Sequence, residues 1–436
     1  MRSAYRVAEI RAAEEALMAR LPAGALMQRA AAGLAARAVR ILADRGRVYG
    51  AHALLLVGAG NNGGDALFAG ARLARRGVRV SALLLAPGRT HDDGLAVFRA
   101  AGGRTVDAVP DGTDLVVDGI LGIGGRPGLR PDALAAVRAT AALGVPVLAV
   151  DVPSGVAVDT GATPEESVHA DVTVTFGAMK PALLVGAAAA RSGLVELVDI
   201  GLDDCLPAEP WLRAPDAEDV AAWWPVPGPG DDKYTRGVVG IAAGSSRYTG
   251  AAVLAVGGAL AGPAGFVRYA GHAAEHVARE WPEAVLADRV GDAGRVQAWV
   301  VGPGLGTDAR AKGELRAALA LDVPVCVDAD GLTLLADDPA AWLSGRTAAT
   351  VVTPHDREFA RLAGGPPGED RVGAVRDLAA RLGVVVLLKG DRTIVAAPDG
   401  GCLVNSTGSA ALATAGSGDV LSGLLGSLLA GGVPAP

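Results

Sequence analysis

Ala53-Leu54-Leu55-Leu56-Val57-Gly58-Ala59-Gly60-Asn61-Asn62-Gly63-Gly64-Asp65 is the stretch that decides how the first half of this chain folds. An unbroken apolar run, a glycine-rich turn and a helical stretch from about Ala66 to Arg76 spell strand, turn and helix. The junction contains G-x-G-x-x-G, a pattern that lets a backbone approach a pyrophosphate at a helix N-terminus. A conventional dehydrogenase also needs an acidic residue at the end of the next strand to hold a ribose. Leu83-Leu84-Leu85-Ala86 offers none, which disfavours that reading.

Outward from this unit the pattern repeats. Residues 8–43 read as one Ala- and Leu-rich helix, and strands are expected at Ala53–Val57, Val78–Leu85, Leu115–Val117, Val145–Val150 and Val172–Phe176. Apolar strands separated by helices predict a parallel sheet covered on both faces. The stretch 206–230 gathers six prolines, two glycines and interleaved tryptophans, and reads as a connection between domains. A second alternation follows at Val238–Ala242, Ala298–Val301, Val323–Val327, Thr350–Val352, Val384–Leu388 and Thr393–Ala396. The expectation is two three-layer αβα domains, over residues 1–210 and 231–436, joined by a Pro-rich linker at 211–230.

Composition narrows the function. The chain has 436 residues, 50% hydrophobic and 20% charged, enough for two substantial cores. Cys205, Cys326 and Cys402 lie far apart without metal-ligand spacing, which suits a reduced, cytoplasmic protein. No H-E-x-x-H occurs, so a zinc hydrolase is not expected. The N-terminus has no apolar signal core, and no apolar run is long enough to span a bilayer, so no membrane partner is expected. A net charge of −7 argues against nucleic acid as a partner. Lysine occurs only at Lys180, Lys233, Lys312 and Lys389 in an otherwise Arg-using chain.

Three strand ends in the first half carry hard oxygen donors: Asn61-Asn62-Gly63-Gly64-Asp65, then Asp118-Gly119-Ile120-Leu121-Gly122-Ile123-Gly124-Gly125-Arg126-Pro127-Gly128, and Asp151-Val152-Pro153-Ser154-Gly155. In an open parallel sheet such ends converge on one crevice. Asn62, Asp118 and Ser154 then offer an amide oxygen, a carboxylate and a hydroxyl to one cation, a set that suits an alkali or alkaline-earth ion. The competing reading is that Asp118 and Asp151 only cap turns.

These motifs, with Thr175-Phe176-Gly177-Ala178-Met179-Lys180-Pro181, resemble the NAD(P)H-hydrate epimerase family over most of residues 1–205. The resemblance implies a Rossmann-like fold and a potassium ion at Asn62, Asp118 and Ser154. It also implies contacts to the hydrated cofactor from Asn61, Asn62, Gly63, Gly64, Asp65, Gly122, Ile123, Gly124, Gly125, Arg126, Pro127, Gly128 and Asp151. Ala66 and Gln28 depart from the family's usual Gly and Glu. The reacting carbon is a hemiaminal, so inversion requires its C–O bond to break and water to return on the other face. Asp151 is the expected general acid/base, with Lys180 biasing its protonation.

The second half ends on Asn405-Ser406-Thr407-Gly408-Ser409-Ala410 and Ala415-Gly416-Ser417-Gly418-Asp419, followed by a helix over Val420–Ala430. The Gly416–Gly418 turn can aim successive N–H groups at a transferring phosphoryl group. Asp419 then stands where a base takes the proton of the acceptor hydroxyl. No G-x-x-x-x-G-K-[ST] is present, which excludes a P-loop. Companion strand-end loops are Gly302–Gly306, Asp328–Gly331, Thr353–Glu358 and Lys389–Thr393.

With Lys233–Gly237, Gly244–Ser246 and Tyr248–Ala251, this half resembles the ribokinase-like superfamily, and within it the NAD(P)H-hydrate dehydratases. The resemblance implies an adenine nucleotide held by Lys389, Gly390, Asp391, Arg392, Thr393 and Gly418. The hydrated cofactor would meet Ala251, Ala252, Gly304, His355 and Asp419. Family chemistry is phosphorylation of the hydroxyl by ADP or ATP with Mg2+, then expulsion of phosphate. Arg357 and Ser409 depart from the usual Gly and Asn. The chain stops at Pro436 where relatives continue with further helices, so this domain is expected to be a fragment or shortened.

The combined expectation is a cytoplasmic, homo-oligomeric enzyme that epimerises hydrated NADH and NADPH and dehydrates the S form. The rival is a small-alcohol kinase with a non-catalytic N-terminal binding domain.

Overall fold

The computed structural model describes residues 1–435. Contacts divide the chain into two units, Arg2–Arg213 and residues 214 onward, each described by itself.

The first unit is built on a seven-stranded sheet, parallel throughout. Across the sheet the order is Arg104–Val106, Arg79–Leu84, His52–Val57, Leu115–Gly119, Val147–Val150, Val172–Phe176 and Leu194–Val198. Numbered along the chain this is 3-2-1-4-5-6-7, the doubly wound arrangement, whose direction reverses beside His52–Val57. Every residue of that strand is buried, and alternate side chains serve opposite cores. Leu55 and Val57 pack with Leu34, Leu67 and Phe98, whereas Leu54 and Leu56 pack with Val116, Ile120 and Ala136. A strand with helices on both faces has no solvent side, so it reads as apolar throughout.

The single helix expected over 8–43 is two, Val7–Met18 and Ala25–Asp44. Pro22 has no N–H to continue the first helix, and Gly24 caps the second at φ +78°. The 211–230 stretch, expected to be a Pro-rich linker, carries the short strand Leu212–Ala214 and a helix Ala217–Trp223, begun by an Asp216–Asp219 capping box.

In the second unit the strands run Val285–Ala287, Phe266–Ala270, Val238–Ala242, Ala298–Val301, Val325–Val327, Thr350–Val352 and Val385–Leu388, all parallel. Ile394–Ala396 and Cys402–Val404 extend this sheet antiparallel. The helices Thr249–Leu260 and Ser417–Ala430 cover one face, packing Ala252, Ala255 and Val256 against Val239, Ile241 and Val300. These helices touch backbone to backbone: a Cβ on Gly423 would lie 1.9 Å from the Ala255 carbonyl oxygen. That close contact fixes where the Gly416–Asp419 turn sits above the strand ends.

Candidate active sites

Where strand order reverses in the first unit, the turns after His52–Val57 and Leu115–Gly119 part to leave a cleft of about 980 Å³. Gly58–Asn62, Asp65, Ile120–Arg130, Asp151 and Phe176 line it. Gly58 is required for this geometry, since a Cβ there would fall 1.9 Å from the Ile120 carbonyl oxygen. Of the expected contact residues, Gly63 and Gly64 lie within the helix Asn61–Ala74 and do not line the cleft.

Asp118 is fully buried at the end of the strand Leu115–Gly119, behind the cleft-lining turn that begins at Ile120. Its Oδ2 accepts from the Ser154 N–H at 2.8 Å, and its Oδ1 from the Ser154 hydroxyl at 2.6 Å and the Ile120 N–H at 3.2 Å. Ser154 Oγ also accepts from the Leu121 N–H at 2.9 Å. Asn62 reaches the same turn: its Oδ1 lies 2.7 Å from where a Cβ of Gly122 would stand, and its buried Nδ2 has no partner. Asn62, Asp118 and Ser154 therefore gather about one turn. Asp118 does cap that turn, as the competing reading held, but it is also a buried carboxylate that makes no ion pair. Burial, opposed by the Ser154 and Ile120 hydrogen bonds, pushes its carboxyl up to about 6. An all-oxygen donor set around an uncompensated buried carboxylate fits an alkali cation.

Asp151 follows the strand Val147–Val150 with φ +70°. Its Oδ1 accepts from Lys180 Nζ at 2.5 Å and from the Thr175 hydroxyl at 3.1 Å. Lys180 is 1% exposed and donates further to Thr175 Oγ1 and the Phe176 carbonyl. A lysine this buried is held by its partners, and its charge fixes one oxygen of a carboxylate that lines the cleft.

The second unit assembles its own cluster. Lys389, at the end of Val385–Leu388, donates to Asp328 Oδ1 at 2.7 Å and lies 3.8 Å from Glu358. Ser422 donates to Asp328 Oδ2 at 2.6 Å, and a Cβ on Gly418 would lie 3.5 Å from Lys389 Nζ. Asp419, half-buried, is pushed up to about 6 by burial and then by the Asp328 charge, with Lys389 opposing. His355 stands 3.5 Å from Glu358 and caps the helix Asp356–Ala363 through Nδ1. Gly304 meets Ala251, a Cβ on the glycine falling 2.7 Å from that of Ala251.

Other expected nucleotide and substrate contacts are placed differently. Ala252 is fully buried beneath Gly244, so its side chain belongs to the core. Thr393 Oγ1 donates to the Gly390 carbonyl, Asp391 accepts from the Arg392 N–H, and Arg392 turns to the Ser406 carbonyl. Of residues 389–393, Lys389 alone sends its side chain to the cluster.

Sequence reasoning missed Arg11, Glu14, Arg89 and Glu165 in the first cleft, and Ser422 in the second cluster. Glu14 carries no sequence signal, because its helix folds over from outside the sheet. Ser422 had a faint one, as a polar residue on an apolar helix. Among the described residues only Asp151 and Ala329 are non-glycines with positive φ, and each lies at a strand end within a candidate site. Local strain of this kind persists where the surroundings over-determine the backbone. His272 and His276 stand four apart, a spacing zinc sites use, yet no group of three metal-type ligands forms among the described residues.

A family model described as YjeF-related protein N-terminus matches residues 23–182, and one described as NAD(P)H-hydrate dehydratase matches residues 239–434. The bifunctional NAD(P)H-hydrate repair enzyme Nnr of Mycobacterium tuberculosis is 55% identical over 100% of this chain and 90% of its own. That of Mycobacterium leprae is likewise 55% identical, with the same coverage. An NAD(P)H-hydrate epimerase of Clavibacter michiganensis is 49% identical over 48% of this chain and 95% of its own. A solved ADP/ATP-dependent NAD(P)H-hydrate dehydratase from Bacillus subtilis, co-crystallised with ATP/Mg2+, is 30% identical over 50% of this chain and 82% of its own, with a TM-score of 0.46. With both halves matched in order and full-length relatives at this identity, the chain belongs to the family of bifunctional NAD(P)H-hydrate repair enzymes.

Proposed function

We propose that the first unit interconverts the R and S forms of hydrated NADH and NADPH, and that the second dehydrates the S form at the expense of ADP or ATP. The observation that carries the first half is the Asp151–Lys180 pair buried at a cleft built on a doubly wound switch point. Asp151 exchanges the proton that departs and returns with water at the hemiaminal carbon, and Lys180 holds its carboxylate in place. Gly122–Gly128, Arg126 among them, flank the bound cofactor, and Asn61 and Asn62 offer helix N-terminal N–H groups to its phosphates. Potassium held by Asn62, Asp118 and Ser154 would supply positive charge where Asp118 has none.

In the second unit Asp419 takes the proton of the substrate hydroxyl as it is phosphorylated, and the ring nitrogen's lone pair then expels phosphate. Gly418, at the start of Ser417–Ala430, and Lys389 hold the nucleotide phosphates, with Gly390–Thr393 forming the turn beside them. Mg2+ would neutralise phosphate charge there. Gly304, Ala251, the backbone at Ala252 and His355 form the wall facing the hydrated ring.

No helix among the described residues is long and apolar enough to cross a membrane, and all three cysteines are free. We place the enzyme in the cytoplasm as a homo-oligomer; light scattering of the purified chain tests the latter. The direct test of function is the return of dihydronicotinamide absorbance from purified S-form hydrated NADH on adding ADP or ATP. The R form must follow only while the first unit is active. Turnover of a panel of small alcohols in place of hydrated cofactor would overturn the proposal.

A further inference from the structure

Asp65 has no role in the scheme above beyond contact, yet its surroundings are unusual. It lies on the helix Asn61–Ala74 after the strand His52–Val57, and is 9% exposed. Its Oδ1 is buried without a hydrogen-bond partner, although the residue lines the cleft. A buried carboxylate oxygen left unpaired is costly, and in a cleft it marks a group awaiting a ligand. Asp151 reaches the same cleft from Val147–Val150, with the strand Leu115–Gly119 lying between the two. The charged groups acting on Asp65 are Asp151 and Glu14, while Lys180 and Arg11 act in turn on Glu14, and Arg11 lines the same cleft. Lys180 is already committed to Asp151, and nothing donates to Asp65.

Inversion by loss and return of water has a two-sided requirement. A proton must be given to the oxygen that leaves one face, and another taken from the water that enters the opposite face. Asp151 alone serves one face. We propose that Asp65 is a second proton-transfer residue of the epimerase, acting across the hydrated ring from Asp151; this rests on the dehydration–rehydration reading of that cleft.

On the Asp65 side, the C–O bond breaks as the carboxylic acid gives its proton to the leaving hydroxyl. The ring nitrogen's lone pair becomes the second bond of a C=N unit. On the Asp151 side, a water oxygen forms the new C–O bond, that electron pair returns to nitrogen, and the surplus proton passes to the Asp151 carboxylate. One water has left and one has entered. One proton has moved from Asp65 to Asp151, which sets the protein for the opposite inversion. Each epimer is thus served by the form that carries the proton on its own side. Burial, with the charges of Asp151 and Glu14, holds the Asp65 carboxyl well above the ordinary range, which suits an acid that must be protonated near neutrality. Glu14 acts as a positioning residue.

The test uses the full chain without nucleotide, so that dehydration is idle. Purified R and S hydrated NADH are each incubated in heavy-oxygen water with wild type, Asp65→Asn and Asp151→Asn. Label uptake and inversion are measured separately and corrected for the uncatalysed rates. Wild type is expected to invert both epimers with label uptake. Asp65→Asn, a neutral isostere of the protonated acid, should lose inversion about 10²-fold or more yet still exchange label in one epimer. Asp151→Asn should retain exchange in the other. Glu14→Gln removes a negative charge facing Asp65 and should move the pH profile of inversion to lower pH. The inference is overturned if Asp65→Asn inverts at the wild-type rate, or loses exchange from both epimers alike while binding hydrated NADH normally. Wild-type inversion without label uptake would overturn the underlying reading and this inference with it.

Discussion

Asp151→Asn separates what the buried ion pair does for stability from what it does for chemistry. Lys180 is 1% exposed and Asp151 9%, and their contact is 2.5 Å. The substitution leaves a buried ammonium with neutral acceptors only: the new amide oxygen, Thr175 Oγ1 and the Phe176 carbonyl. Breaking such a pair costs about 3–5 kcal/mol, because the remaining charge has neither water nor a counter-ion. In a unit of this size that lowers the calorimetric midpoint by roughly 6–20 °C. Asp151→Asn combined with Lys180→Met removes both charges at similar volume and should recover most of the loss, since replacing a buried pair by apolar groups is often neutral. Inversion of hydrated NADH, followed by chromatographic separation of the epimers, should stay down about 10²-fold or more in both variants. The reasoning is refuted if Asp151→Asn melts with wild type, or if the stabilised double variant inverts normally.

Other outcomes follow from the remaining groups. Asp419→Asn should lower nucleotide-dependent dehydration about 10²–10⁴-fold, and turnover near wild type would remove it from the base role. In wild type the base works deprotonated, and its carboxyl is pushed up to about 6, so dehydration should rise with pH through that value. Lys389→Met removes the charge that opposes the shift and should move the limb to higher pH; a profile flat across it would contradict the assignment. Asp118 is also pushed up to about 6, from an ordinary 3.8. The stability tied to its protonated form is present below the unfolded value and lost as pH rises through the folded one, roughly 3 kcal/mol in all. Potassium should restore stability above that pH, and have little effect below it or in Asp118→Asn, as read by thermal unfolding in potassium against a bulky organic cation. Gly423→Val drives a side chain into the Ala255 carbonyl, and should destabilise the second unit by more than about 3 kcal/mol.

Much of the fold was legible locally, because a strand covered on both faces must be apolar throughout and its turn must be glycine-rich. His52–Val57, Leu115–Gly119 and Val238–Ala242 announced themselves in this way. Leu194–Val198 and Val285–Ala287 did not: they are edge strands with exposed Leu194 and Val285. Phe266–Ala270 hid behind Arg268, whose guanidinium donates to the Ala293 carbonyl instead of facing water alone. The break at Pro22–Gly24 was written in the residues but outweighed by the helical composition on either side.

For the sites, the chain alone set which chemical groups stand at each strand end: Asn62, Asp118, Asp151 and Ser154 in one half, Lys389 and Asp419 in the other. Spacing along a strand fixes that, since a turn follows where the apolar run stops. Which groups meet was decided by strand order and helix packing. The nearness of Lys180 to Asp151 was expected, but only the tertiary structure joined Ser422 to Asp328, and Glu14 and Asp65 to one cleft. Burial made the same decision for charge. A carboxylate's proton affinity depends on the water and counter-ions it loses on folding, and neither is encoded in its neighbours along the chain.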